Sequence, residues 1–280
     1  RVEFSIGCGY GGDLLSSAGA IDGKHEPERN CFFLTRTETK CANRMRILIL
    51  TTIYPHVADP VRGIYVHRHA RALMKAGCEV EVIAPVVEIP FISQLSPRGR
   101  ALKSVPRHEC WEGVSVHHPR RFGTGSFLHH WSSRFYGWLF ESCASPVVQR
   151  LHNKAPFDII DAHVPFVAGE AALSFAGSFN LPLCVSIHGF SLRNVPEYGR
   201  WAVRRIQKVL HGADRVVVTG PFLNKKVMAP PWNISAEHIS MIRLGVDLSL
   251  VPSHKDQQLA DEFSGCKVAL VPGNLVRLKR

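Results

Sequence analysis

No apolar run in this sequence reaches the roughly 18–20 residues that a membrane-spanning helix needs, and the first residues lack the basic-then-apolar order of a secretory signal. A soluble or peripheral chain is expected. CxxC and CxxxC spacings are also missing, since the eight cysteines (Cys8, Cys31, Cys41, Cys78, Cys110, Cys143, Cys184, Cys266) are scattered. That scatter argues against a zinc site and a disulfide framework, and fits reduced thiols in the cytoplasm. There is no GxGxxG or Walker spacing. No GxSxG elbow or defined Cys–His pair supports a hydrolase, and the paired carboxylates of a glycosidase cannot be assigned from spacing alone. Acidic residues are the scarcer charge, 23 Asp+Glu against 34 Lys+Arg, for a formal net charge of +11. The excess favours partners that carry phosphates, acidic sugars or an anionic membrane surface. Nucleic acid is not expected among them, because no dense Lys/Arg block is interleaved with aromatics.

What is present is a chain of 280 residues with 45% apolar content, enough for one or two domains with a real core. Residues 1–44 show no sustained period of 2 or 3.6, and the chain begins with Arg. They are expected to be a disordered tail or a spurious upstream extension, with Met45 as the biological start. From there the order is regular. Arg46–Thr52 is an apolar run of strand length, suited to a parallel sheet buried on both faces. The periodicity predicts a helix over Gly63–Ala76, with Ile64, His67, Ala70, Leu73 and Met74 on one face and Gly77 as its stop. A second strand is expected at Glu79–Ala84.

The Pro- and Gly-bearing stretch Pro85–Pro119 reads as loops around a strand at Val114–His117, and Trp131–Leu151 reads as helical. Strand-then-helix units follow at Phe157–Ala162 with Val167–Phe179, at Leu183–Ile187 with Glu197–Leu210, and at Arg215–Val218 with Phe222–Met228. Ile239–Ile242 is a further short strand, and Lys267–Val271 opens another. Such alternation implies βαβ units and an α/β fold, a Rossmann-like doubly wound parallel sheet. Residues 45–247 are expected to form that domain. Residues 248–280 then form a linker and the first strand of a second Rossmann-like domain.

In an open doubly wound sheet, ligands bind beyond the carboxyl ends of the strands. After the first strand, Gly63 opens a helix where a missing Cβ would let a phosphate approach the backbone, with Arg62 beside it as a charge partner for an acceptor or a phosphate. An ordinary turn glycine is the equal alternative. His67 and His69 have no third ligand at suitable spacing and read as helix-surface residues, so no metal site is expected. His163 and His188 both stand at strand carboxyl ends, where an imidazole can bond a sugar hydroxyl or act as a base. Of the two, His188 is the functional candidate, because Gly189 leaves room for a ligand. His163 reads first as a structural residue, and otherwise as an acceptor or phosphate contact.

Taken together and in order, six segments resemble the GT-B glycosyltransferases of family 4. They are "MRILILTTIYP" with "GIYVHRHARALMKAGCEVEV", then "FDIIDAHVPFVA", "IHG" at Ile187–Gly189, "ADRVVVT", "GVD" at Gly245–Asp247, and "LVPGNLVRLK" at Leu270–Lys279. The segment "GVSVHHPRRF" (Gly113–Phe122) looks most like transferases of cell-surface polysaccharide synthesis, the teichuronic acid type included. The resemblance implies two facing domains, the first for the acceptor and the second for a nucleotide-sugar. It also implies retained anomeric configuration and no cofactor beyond the nucleotide-sugar co-substrate.

Carried onto this chain, the resemblance implies His188 at the reacting sugar, Gly63 beside the donor phosphates and Lys279 on the diphosphate. Asn274 stands where many members have an arginine, Leu244 replaces the asparagine of "NGVD", and Ser191 replaces the aspartate of "HGxD". The family's paired-glutamate motif would lie beyond Arg280, so the chain by itself is expected to be an inactive, truncated fragment. The expected partners are a nucleotide-sugar donor, a glycan or lipid-linked acceptor and an anionic membrane surface, met in the cytoplasm at the inner membrane face. A different class of reading is a non-catalytic module that binds an acidic glycan or an anionic membrane. A third is a GT-B relative with another reaction, such as a sugar-nucleotide epimerase.

Overall fold

The run RILILT forms β1 (Arg46–Thr51), and its side chains alternate between two cores. Ile47 and Ile49 pack on one face of the sheet with Val66, Ala70 and Leu73, while Leu48 and Leu50 join Phe140, Val148 and Phe175 in the other cluster. Because both faces are covered, the strand is apolar throughout instead of alternating apolar with polar. The structure is a computed structural model that describes residues 44–89, 96–123, 133–192, 195, 199–243, 245 and 257–265. The expected strand at Lys267–Val271 and Trp131 lie outside them.

β1 lies inside an eight-stranded sheet with β2 (Glu79–Ile83), β4 (His108–Trp111), β5 (Val114–His117), β7 (Ile159–His163), β8 (Leu183–Ile187), β9 (Arg215–Val218) and β10 (Ile239–Met241). The strand order is β10-β9-β8-β7-β1-β2-β5-β4. Every pairing is parallel except β4 with β5. A separate parallel pair, β3 (Val86–Glu88) with β6 (Arg120–Phe122), stands beside it. The helices are α1 (Ile64–Lys75), α2 (Pro97–Ser104), α3 (Tyr136–Lys154), α4 (Ala168–Phe179), α5 (Arg200–Gly212), α6 (Pro221–Met228) and α7 (Gln257–Glu262). This is the expected α/β, Rossmann-like architecture with one antiparallel edge strand added.

The Pro85–Pro119 stretch holds more than loops. Ser96 caps α2 by accepting from the Gly99 N–H at 3.0 Å, and Pro97 sits at the helix start, where its missing N–H costs nothing. β4 and β5 form a hairpin whose two-residue turn, Glu112-Gly113, has positive φ at both positions (45° and 88°). That is the turn sense that matches strand twist. Glu112 then reaches α1, accepting from Arg71 Nη1 at 2.6 Å and His67 Nε2 at 3.1 Å.

Three stripes of α1 do different work. Val66, Ala70 and Leu73 enter the core with His67 buried beside them, so three of the five expected face positions (His67, Ala70 and Leu73) are buried, while Ile64 is half-buried and Met74 exposed. Tyr65 and His69, one turn apart, flank it on one side, and His67 and Arg71 flank it on the other. Gly77 ends the helix at φ +91°, with Gly77 N–H bonded to Met74 O and Cys78 N–H to Leu73 O. By contact the chain divides into Arg1–Arg243, which holds this sheet, and Leu244–Arg280, whose described part is chiefly α7.

Candidate active site

β1 has β2 on one side and β7 on the other, so the crossovers reverse direction between β1 and β7. In folds of this type the carboxyl ends at that reversal form the ligand crevice. His163 is the last residue of β7, and His188 directly follows β8. Their rings lie parallel, 5.1 Å apart with an interplanar angle of 6°, and His163 Nδ1 is 2.8 Å from His188 Nε2. Asp161, two residues back on the same face of β7, is buried beneath them. Its Oδ2 accepts from His69 Nε2 at 2.9 Å and lies 3.3 Å from His163 Nε2, while Ser186 Oγ donates to its Oδ1 at 3.3 Å. The Tyr65 ring covers His188 with its centroid 4.5 Å away.

Asp161 stands 3.3 Å from His163 Nε2 without a formed hydrogen bond, and its charge favours one pair of tautomers. A carboxylate beside His163 Nε2 holds the ring proton there, so His163 Nδ1 accepts from the N–H at His188 Nε2. Burial, reinforced by His163, pushes the His188 imidazole down from its ordinary 6.5 to about 3, with Asp161 acting the other way. His188 is therefore a neutral ring at physiological pH. Asp161 is held well below the carboxylate range: burial opposes ionisation, but His163 and His69 together outweigh it. Burial also opposes the charged form of His69, yet the bond to Asp161 and its charge raise that imidazole above its ordinary value. The result is an ionised carboxylate holding two histidines, one of which orients a third.

Three sequence expectations change here. His67 is no surface residue: it is 1% exposed, 2.8 Å from Tyr54 Oη through Nδ1, and its imidazole is shifted down chiefly by burial. His69 does find partners, Asp161 and His163, which come from β7 and not from its own helix. His69, Asp161 and His163 place one ligand-type atom each within 4.8 Å of one another, a two-histidine, one-carboxylate set of a kind that holds divalent ions. His163, too, is not an isolated packing histidine but the link between Asp161 and His188.

Gly63 opens α1 at φ +62°, and a Cβ there would lie 2.6 Å from Ile53 O. Both the dihedral and the close approach demand glycine. At Gly189 a Cβ would meet nothing within 4 Å, so there is open space beside His188. Lys279 and Asn274 fall outside the described residues. Arg62 is not with the histidines; it lies on the β2 side of β1, bonded to Thr52 O at 3.4 Å, on the wall of a cavity of about 400 Å³. That cavity opens beyond the ends of β1, β2 and β5, at Thr52, Ala84 and His118.

The sequence model of the Glycosyl transferase 4-like domain family matches residues 63–245. A protein of Bacillus subtilis (strain 168) named as a teichuronic acid biosynthesis glycosyltransferase is 24% identical over 210 residues, which are 73% of this chain and 51% of the relative. Among solved structures, a sucrose-phosphate synthase of Thermosynechococcus elongatus has a similar fold at a TM-score of 0.51 and 16% identity. The match covers 74% of this chain and 49% of that one. The chain thus spans about half the length of each of these relatives.

Proposed function

Because the chain belongs to the Glycosyl transferase 4-like family, with a GT-B type fold, we propose that it is the acceptor-side domain of a retaining transferase. The donor is a nucleotide-sugar and the acceptor a glycan or lipid-linked glycan of cell-surface polysaccharide synthesis. The name of the Bacillus subtilis relative supports that pathway class. Catalysis then requires a donor-side domain facing the carboxyl ends of β1, β7 and β8, and this chain alone transfers sugar slowly or not at all. The enzyme works in the cytoplasm, where its net charge of +11 attracts it to an anionic membrane face. Among the described residues no helix is long and apolar enough to cross a membrane.

The observation that carries this reading is the Asp161–His163–His188 line at the strand-order reversal. A neutral His188, oriented by its own bond to His163, presents a fixed polar edge to the hydroxyls of the reacting sugar without bringing a competing positive charge. Departure of the nucleoside diphosphate needs compensation of its growing negative charge. Gly63, at the positive end of α1, is suited to one side of that diphosphate, and Lys279 and Asn274 are assigned to the other. The reading implies no metal, although His69, Asp161 and His163 are the described residues able to hold one. The test is product formation by the full-length gene product from a panel of nucleotide-sugars and acceptors, with and without a chelator. Transfer with retained configuration supports the proposal, and the absence of transfer with every donor counts against it.

A further inference from the structure

On the β2 side of β1, three arginines, Arg62, Arg98 and Arg121, and two histidines, His56 and His118, line the 400 Å³ cavity. That volume lies in the range of small-molecule sites, roughly 300–1,000 Å³. Strand alternation separates Arg121 from its neighbour. Arg120 donates to the carbonyls of Leu102, Lys103 and Val105 and lies 3.8 Å from Glu88, whereas Arg121 points the other way. Arg121 stacks over the Tyr136 ring at 4.6 Å, and its Nη1 is buried with no hydrogen-bond partner among the described residues. His56, 5% exposed, has a buried Nδ1 in the same condition.

Carboxylates do not balance this wall. Asp59 is near Arg62 and His56, and Glu109 is bonded to His118 Nε2 at 2.8 Å, but no carboxylate pairs with Arg121 among the described residues. Arg62 and Arg98 lie close enough to repel each other. Three arginines around one cavity, with Asp59 and Glu109 as the nearby carboxylates among the described residues, form a positively charged wall whose charge an anionic ligand can offset. Arginine at such a wall suits a planar or tetrahedral oxyanion, which it can engage with two parallel N–H bonds.

We propose that this cavity binds an oxyanion carried by the acceptor, the carboxylate of a uronic acid or a phosphate of a phosphorylated sugar or lipid carrier. The proposal rests on the reading of this chain as the acceptor-side domain. It places the acceptor's charged group on the β2 and β5 side of β1, while the reacting sugar meets His188 on the β7 and β8 side.

The experiment is NMR titration of the chain with D-glucuronate, glucose 6-phosphate and glucose, repeated on Arg121→Gln, on the exposed Arg98→Gln and on Arg150→Gln, which lies away from the cavity. Expected is binding of at least one anion ten times tighter or more than glucose, with the better of the two identifying the oxyanion. Arg121→Gln and Arg98→Gln each weaken it at least tenfold, and Arg150→Gln leaves it unchanged. Equal affinity for glucose, unchanged anion binding in both cavity variants, or competitive displacement of the anion by UDP overturns the proposal, the last by giving the cavity to the donor. Anion binding as predicted, with no transfer by the full-length protein, supports the site and counts against the transferase reading. Transfer to neutral acceptors only overturns the site and leaves that reading in place.

Discussion

The two sides of β1 assemble their polar groups differently. On the β7 and β8 side the groups face one another: Asp161 holds His69 and His163, and His163 holds His188. On the β2 and β5 side, Arg62, Arg98, Arg121, His56 and His118 line a cavity, and Arg121 Nη1 and His56 Nδ1 are buried without partners among the described residues. A mutually bonded cluster is preorganised, so its geometry exists before any ligand arrives. A wall of three arginines carries positive charge that an anionic ligand can offset. The difference underlies the proposed separation of chemistry from recognition, and it predicts that truncations on the two sides have unlike consequences.

The largest stability effect is expected from Asp161→Ala. It leaves His69, His163 and the Ser186 hydroxyl without their shared acceptor in a buried setting, a loss of about 3–5 kcal/mol on the scale of breaking a buried charged pair. Urea unfolding measures it, and a loss below about 1 kcal/mol would show that the histidines do not depend on the carboxylate. Gly63→Ala follows, at about 1–3 kcal/mol, from the left-handed backbone and the approach to Ile53 O. An unchanged midpoint there would mean that the α1 entry relaxes freely.

A pH effect comes next. The His188 imidazole binds its proton more weakly in the folded chain, near 3, than at its ordinary 6.5. The unfolded chain therefore holds more protons between those values, and stability falls as the pH drops below about 6.5. The slope from this one group is at most about 1.4 kcal/mol per pH unit. Asp161 and His69, whose own values are shifted, stand close by, so the readout is the difference between wild type and His188→Gln. That difference should be constant above pH 7 and shift against the wild type on acidification; parallel curves throughout would refute the assignment. The smallest effect is Arg121→Gln, within about 0.5 kcal/mol of wild type or stabilising, because it removes an unpaired buried donor. A large destabilisation would erase the contrast between the two sides.

Elements governed by local pattern were readable in the sequence. β8 and β9 have the bounds that their apolar runs indicate, Leu183–Ile187 and Arg215–Val218, and His188 was singled out by its place after one of them. Elements held by distant partners were not. β4 is a half-exposed edge strand without clean alternation, identified only once β5 pairs with it. Two local signals there were available, the Ser96-Pro97 helix start and the Glu112-Gly113 turn. Helical period puts His67 on the inward face of α1, but it does not supply the bonds to Tyr54 and to Glu112 of the β4–β5 hairpin. The bond between His69 and Asp161 joins residues 92 apart. Arg121 has meaning only against a cavity assembled from β1, β2, β5 and α2. Spacing along the chain carries none of these.

The proposed division of roles gives His188 the reacting sugar and Arg121 the acceptor's charge. It is tested most directly by steady-state kinetics of the full-length gene product carrying each substitution. His188→Ala should lower kcat by about 10²–10⁴, the range of a positioned acid–base or polar group, with the acceptor KM and the melting temperature little changed. Arg121→Gln should raise the acceptor KM tenfold or more at nearly constant kcat. Wild-type turnover by a folded His188→Ala protein would contradict the account.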